Sequence, residues 1–314
     1  MAKTVLILGA SGRFGRNAKA AFTWANWNVV TYDRSKDTLP DAAWGADVIV
    51  NAWNPAYPDW ARDVPKMTAQ IINTARDTGA TVILPGNIYN YGQHMPQVLS
   101  EDTPHAPTTP LGTIRETMET AYRDAGVRTI ILRAGDFIDT CASGNWYDRV
   151  ITAKLDKGIV TYPGDLDTPH AWAFLHDLAD ATVALAEQAD ALPRFTQINF
   201  PGYTLTAREL HAALEAETGK RLALKQMSWW PLYLARPFWK LAKPLLEMRY
   251  LWQTPHSITS TRFSDVLPEF EPTPLPAAIA ASLPDQVNPD RVMARATLNK
   301  RRPFDFCCGN AKVA

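Results

Sequence analysis

Two short stretches of the chain hold residues whose types and spacing could do chemistry. In GASGRFG, residues 9–15, Gly9, Gly12 and Gly15 follow directly on the apolar run KTVLIL. Small residues at this spacing let a chain turn sharply, approach a pyrophosphate closely and present the free N–H groups of a helix start to it. Asp33 stands 18 residues past Gly15, at the end of the next apolar run, where a carboxylate can accept hydrogen bonds from a ribose diol. The dinucleotide contacts expected from this pattern are Gly9, Ser11, Gly12, Arg13, Phe14, Gly15, Asp33 and Arg34. Asn51, Ala52 and Trp53, at the end of the run DVIVNAW, join them. Asp33 favours NAD because its charge repels a 2′-phosphate, whereas Arg13, Arg34 and Lys36 could each meet that phosphate. The expected cofactor is NAD(P), with the balance toward NAD.

The second stretch, PTTPLGTIRETME (107–119), reads by itself as a surface helix entered through a proline. Leu111 and Arg115 lie one helical turn apart on it, and Arg115 can pair with Glu119 one turn further on. Leucine has no proton to give, and a guanidinium does not release its own. The nearby ILPGNIYNYGQH supplies groups of the other kind: Tyr89, Tyr91 and His94 for proton transfer, and Asn87 for an amide N–H aimed at an oxyanion. Asp136 is a weaker candidate acid. His170 and His176 flank a strand–helix boundary and are assigned no catalysis, with Asp177 as the expected helix cap.

The elements that must position these residues alternate. KTVLILG, NVVTY (28–32), DVIVNAW (47–53), ATVILPG (80–86) and RTIILRAG (128–135) read as buried strands, separated by helical stretches. That alternation predicts an α/β fold, a Rossmann-type doubly wound parallel sheet. After residue 136 the regularity falters, although HDLADATVALAEQ (176–188) and TARELHAALEAETGK (206–220) read as helices and RFTQINF (194–200) as a strand. The expected division is a dinucleotide-binding domain over 1–135, with 166–200 returning to it. A mainly C-terminal substrate lobe covers 136–165 and 201–302, and 303–314 is a tail.

Taken together, GASGRFG, Asp33, DVIVNAW, ILPGNIYNYG and EDTPHAPTTPLGTIRETME resemble the extended short-chain dehydrogenase/reductases of the NAD-dependent epimerase/dehydratase type. LRAGDFID, FLHDLADA and TARELHAAL fall in the same order, so the resemblance runs from residue 3 to about 220. In such enzymes a tyrosine is the acid/base, a lysine four residues later binds the nicotinamide ribose, and a serine or threonine polarises the reacting oxygen. The resemblance places Leu111 at the tyrosine, Arg115 at the lysine and Asn87 at the serine or threonine. Gly112 and Glu119 match, which fixes the register. The resemblance implies an NAD(P)-dependent oxidoreductase or epimerase acting on a small organic or nucleotide-sugar-like carbonyl or hydroxyl compound. Its acid/base residue is then relocated, to Tyr89 or Tyr91, with Asn87 and Arg115 assisting. The altered positions leave open a catalytically silent NAD(P)-binding protein with a regulatory or assembly role.

Composition narrows the partners. Apolar residues make up 46% and charged residues 20%, with 32 basic against 32 acidic side chains. That balance gives no electrostatic reason to expect a nucleic acid or an anionic membrane. Cys141, Cys307 and Cys308 are too few and too poorly spaced for a disulfide framework or a zinc site, so no metal is expected. The opening apolar run ends at Gly9, too short for a signal peptide, which points to the cytoplasm. The aromatic stretch 229–252 is broken by charges and prolines and does not read as a membrane span. A small-molecule substrate is the expected partner, and a homodimer is the assembly this reading allows.

Overall fold

The computed structural model describes residues 2–284 and 287. β1 (Thr4–Leu8) is fully buried from Val5 onward, as an all-apolar strand must be when helices cover both faces of its sheet. α1 (Arg13–Trp24) buries Phe14, Ala18, Ala21 and Phe22 along one face, and β2 (Asn28–Thr31) runs half-exposed at the sheet edge. The one-turn α2 (Leu39–Ala42) and β3 (Val48–Asn51) lead to α3 (Trp60–Thr78), which Gly79 closes with φ 75°. β4 (Thr81–Gly86), the short β5 (Val98–Leu99), α4 (Pro110–Ala125) and β6 (Thr129–Arg133) follow.

Beyond β6 come β7 (Asp136–Ile138), β8 (Ile159–Tyr162) and β9 (His170–Phe174). α5 (Leu175–Glu187) then returns to pack on α1, and β10 (Phe195–Asn199) joins the main sheet beside β6. The central sheet has the order β10-β6-β4-β3-β1-β2, with every pair parallel. One core lies between the sheet and α1 with α5, the other between the sheet and α3 with α4. The strand order reverses at β1, which has β2 on one side and β3 on the other. In doubly wound sheets ligands sit outside the carboxyl ends of the strands at such a reversal. Gly9–Gly15 and Asn51–Trp53 are therefore at the crevice because of topology alone.

β11 (Tyr203–Leu205) pairs with β9, and β9 with β7, in a separate small sheet. α6 (Ala207–Thr218) opens on a capping box between Thr206 and Glu209 and closes at Gly219. β12 (Ala223–Gln226) pairs with β8, and α7 (Trp230–Ala235) and α8 (Ala242–Glu247) follow. β13 (Ser257–Ile258), which pairs with β5, leads into α9 (Thr261–Val266) and α10 (Leu275–Ser282). A third core, rich in Tyr147, Tyr162, Trp172, Trp229 and Trp252, fills this part. The tail 303–314, with Cys307 and Cys308, lies outside the described residues. No described helix is long and apolar enough to cross a membrane.

The stretch from 136 to 169 holds two strands, β7 and β8, that its sequence does not announce, because these short strands pair across long gaps, whereas β9 ends at the expected strand–helix boundary. Asp177 is not the cap of α5: the helix starts two residues earlier. Its carboxylate instead accepts the backbone N–H of Thr273 at 2.7 Å and its hydroxyl at 2.6 Å. A capless start two residues upstream leaves that carboxylate available to a distant segment.

One buried ion pair ties the sheet to α4. Arg133, at the end of β6, donates to Glu119 Oε2 at 2.6 Å and Oε1 at 3.3 Å, and neither side chain reaches solvent. Burial pushes the Glu119 carboxyl up, but Arg133 more than offsets this and holds it below its ordinary value. Arg133 also donates to Gln197 Oε1 at 3.0 Å and to the Asn87 carbonyl. The expected Arg115–Glu119 pair does not form, because Arg133 takes Glu119. Arg133→Met should cost about 3–5 kcal/mol by leaving a buried carboxylate unpaired. Adding Glu119→Leu should recover most of that loss. Denaturant unfolding of the two variants checks both statements.

Candidate functional site

The glycine turn is built for close approach of backbone to backbone. Gly9 has φ +74°, and a Cβ there would lie 2.9 Å from the Ala52 carbonyl oxygen. A Cβ on Gly15 would lie 2.1 Å from the Gly9 carbonyl oxygen. Gly15 therefore serves the packing of α1 onto the turn. Gly12 caps α1 through backbone alone, with no side-chain cap and no acid in the first turn. Such a start leaves N–H groups for an anion. Ser11, Gly12 and Arg13 are exposed, whereas the Phe14 side chain is in the core, so only its backbone faces the turn.

The charges around this turn are largely engaged. Arg13 donates to the carbonyls of Ser143 at 2.9 Å and Gly144 at 2.6 Å, reaching across to the loop after β7 rather than toward Asp33. Asp33 accepts the Ser35 hydroxyl at 2.6 Å and its N–H at 3.0 Å, and pairs with Lys36 at 3.2 Å. The Ser35 hydroxyl, the Ser35 N–H and Lys36 hold its pKa at about 2, so it is charged at any working pH. Arg34 is exposed beside it. At the end of β3, Asn51 donates to the Tyr122 hydroxyl at 3.3 Å and accepts the Trp53 N–H at 3.2 Å, while Trp53 packs edge-on against Tyr32. Asn51, Ala52 and Trp53 thus form the wall opposite the glycines.

At the carboxyl end of β4 the structure assembles an aromatic cluster. The Tyr89 and Tyr57 hydroxyls lie 2.7 Å apart, with Trp60 stacked on Tyr89 and edge-on to Tyr57. Arg115 sits over Trp60 at 5.9 Å and donates to the Pro85 carbonyl at 2.6 Å. Its Nε is buried with no protein acceptor. Burial lowers its pKa. Burial raises both phenol pKa values, and for both the Asp136 carboxylate adds to the push. Asn87 Oδ1 accepts the Tyr89 N–H at 3.1 Å, which leaves the amide NH2 as the donor of that side chain. Leu111 is only 4% exposed and belongs to the core under α4, while its N–H donates to Glu247 Oε1 at 2.8 Å.

Tyr91 is corrected. At 2% exposure its ring is packed in the core, edge-on to His105 with the Arg133 guanidinium over it, rather than open at the surface. His94, in the same loop, is exposed. One group missed in the sequence enters instead, and the weaker candidate Asp136 gains a partner. Tyr57 stands in the connection after β3, and its place at a strand's carboxyl end was the available signal. Asp136 accepts from His170 Nε2 at 2.8 Å, although the two are 34 residues apart. His170 stacks on Trp252 at 4.3 Å and meets His256 edge-on at 4.5 Å. Burial, with His170 adding, holds the His256 imidazole down at about 3.

Two other groupings lie apart. His105, Glu116 and Glu119 converge, but Arg133 occupies Glu119 and Asn90 donates to Glu116 at 2.9 Å. His176, Asp177 and Asp180 converge where Thr273 already engages Asp177. A cavity of about 460 Å³ opens in the second part of the chain, lined by Gly164, Gln226, Trp229, Trp230, Tyr233 and Arg249.

No family model matches the sequence, and no curated protein does. Solved structures share the fold. MoeE5, solved with UDP-glucose and NAD, is 18% identical with a TM-score of 0.69, over 94% of this chain and 100% of its own. UDP-glucose 4-epimerase from Bifidobacterium longum, solved with NAD+ and UDP, is 15% identical with a TM-score of 0.69, over 92% and 100%. The NAD-dependent NDP-hexosamine 5,6-dehydratase TunA is 16% identical with a TM-score of 0.68, over 89% and 96%. The Rossmann-type α/β fold is therefore shared across nearly the whole chain.

Gly15→Ala should lower the melting temperature as well as nucleotide binding, because its methyl meets a backbone oxygen. A variant with unchanged melting and lost binding would return Gly15 to a purely cofactor-contacting role. For His256, the unfolded imidazole protonates near 6.5 and the folded one only at about 3. Its contribution to stability is complete above pH 6.5 and is lost as pH falls toward 3. Unfolding free energies measured down that range should fall more steeply for the wild type than for His256→Phe.

Proposed function

We propose that this chain is an NAD(P)-binding enzyme of oxidoreductase or epimerase type, acting on a hydroxyl or carbonyl compound of the nucleotide-sugar class. The observation that carries the reading is the Tyr57–Tyr89 hydroxyl pair, 2.7 Å apart at the crevice beside Arg115. The glycine cradle, the capless start of α1 and the orphaned Arg115 Nε fit a dinucleotide. Gly9, Gly12 and the first N–H groups of α1 would hold its pyrophosphate, Asp33 its adenosine ribose, and Arg115 the ribose nearer the reaction. When bound, NAD(P) supplies hydride acceptance and donation. Asp33, charged and at the end of β2, favours NAD over NADP.

This chain's own residues supply the proton. Raised phenol pKa values keep Tyr89 and Tyr57 protonated, so the pair can give a proton from Tyr89 Oη and refill it from Tyr57. The Asn87 amide can donate to the same developing oxyanion. Asp136, held by His170, supports the pair as a nearby negative charge that favours the protonated phenols. MoeE5 and the Bifidobacterium epimerase, solved with nucleotide sugars or UDP, support the substrate class.

A second reading has its own observation. The same upward push makes neither phenol a ready base, and Leu111 is core, which suits a protein that binds NAD(P) without turnover.

The test is a screen of nucleotide sugars and small carbonyl compounds with oxidised and reduced cofactor, run beside calorimetry. Tyr89→Phe should cut turnover about 10²- to 10⁴-fold while nucleotide affinity holds. Leu111→Met, conservative in volume, should leave turnover near wild type. Asp33→Ala should weaken NAD and narrow its margin over NADP. Tight NAD(P) binding without turnover on any compound would establish the silent reading.

A further inference from the structure

Among the described residues, eight large apolar side chains are exposed, and five of them fall within ten residues: Trp230, Tyr233, Leu234, Phe238 and Trp239. Phe238 is 91% exposed, Leu234 70% and Trp230 68%, so these rings and branches stand out from the surface. α7 is apolar on every side. Trp229 and Leu232 face the third core, with Trp229 Nε1 donating to the Pro163 carbonyl at 2.7 Å. Ala242 and Pro244 anchor the returning α8. A short helix that is apolar all round is normally covered on both faces. Here one face is seated and the other projects, along with the turn that joins α7 to α8.

Charge decides what suits the projecting face. Residues 221–246 contain Arg221, Lys225, Arg236, Lys240 and Lys243 and no aspartate or glutamate, although the whole chain is balanced at 32 against 32. Arg236, Lys240 and Lys243 are exposed among the aromatic side chains. Aromatic and leucine side chains interleaved with cations are the composition that seats in the headgroup layer of an anionic bilayer. A second copy fits worse, since a two-fold contact would set these cations against their own copies. Six-residue helices broken by Pro231, Pro237 and Pro244 cannot span the hydrocarbon core, so the contact is superficial.

We propose that the α7–α8 hairpin, residues 230–243, docks this protein on the surface of an anionic lipid bilayer, with Trp230, Leu234, Phe238 and Trp239 entering the headgroup layer. The docking is independent of nucleotide binding, because the hairpin shares no residue with the glycine crevice. A balanced total charge conceals it.

The experiment is co-sedimentation of the full chain with vesicles of phosphatidylcholine alone and with vesicles that include phosphatidylglycerol. Binding should require the anionic lipid and weaken as salt shortens the screening length from about 8 Å at physiological strength to about 3 Å at 1 M. Tryptophan emission should shift to the blue on binding. Phe238→Ser, at a position too exposed to affect folding, should reduce partitioning at least tenfold with unchanged melting. Neutralising Arg236, Lys240 and Lys243 to glutamine should reduce it by roughly fivefold per charge. Absence of binding to anionic vesicles overturns the proposal, as does binding that ignores these substitutions. A concentration-dependent dimer, abolished by Phe238→Ser in a protein that ignores vesicles, would overturn it in favour of a second copy.

Discussion

The buried pair between Arg133 and Glu119 is the constraint on which the crevice rests. Two charges taken out of water are tolerated only when geometry and further hydrogen bonds satisfy them. Arg133 meets that condition by reaching Glu119 on α4, Gln197 on β10 and the carbonyl of Asn87 on the loop after β4. The loop that carries Tyr89 and the helix that carries Arg115 are thereby fixed to the same guanidinium. Neither can shift without stranding a buried charge.

Around that anchor, polar groups distant in sequence meet at the start of α4. Leu111 fills core volume, and the N-terminus of α4 takes Thr109 as its cap and Glu247 from α8 as a second acceptor. The start of α4 is thus held from both parts of the molecule. Two polar pairs lie elsewhere, the Tyr57–Tyr89 hydroxyls at 2.7 Å and Asp136 with His170 at 2.8 Å. Arg115 keeps a cation in this region but spends one donor on Pro85 and leaves Nε without a protein acceptor.

The second part of the chain depends on aromatic packing. Trp252 contacts Trp146, Tyr162, Trp172 and His170, and this stacking holds His170 against Asp136 while burying His256 beside it. The same composition spills onto the surface at 230–239, where no part of the described chain covers it. The aromatic side chains here therefore have two placements, one packed around His170 and one that projects.

What the sequence determined by itself is whatever depends on near neighbours. Continuous apolar runs required strands buried on both faces, the glycine spacing required a tight turn into α1, and Thr206 with Glu209 and Gly219 marked both ends of α6. These signals act within a few residues, so periodicity and capping expose them. Tertiary structure decided which donor met which acceptor. Glu119 could pair with Arg115 one turn away or with Arg133 across the fold, and packing chose Arg133. Asp177 could cap its own helix or hold Thr273, 96 residues on, and the start of α5 settled it. Tyr91 and Tyr89 are two residues apart in the same loop, yet one is sealed in the core and the other reaches Tyr57. A two-residue offset in an irregular loop carries no periodicity to read, and a hydrogen bond between distant segments exists only once the sheet has brought them together.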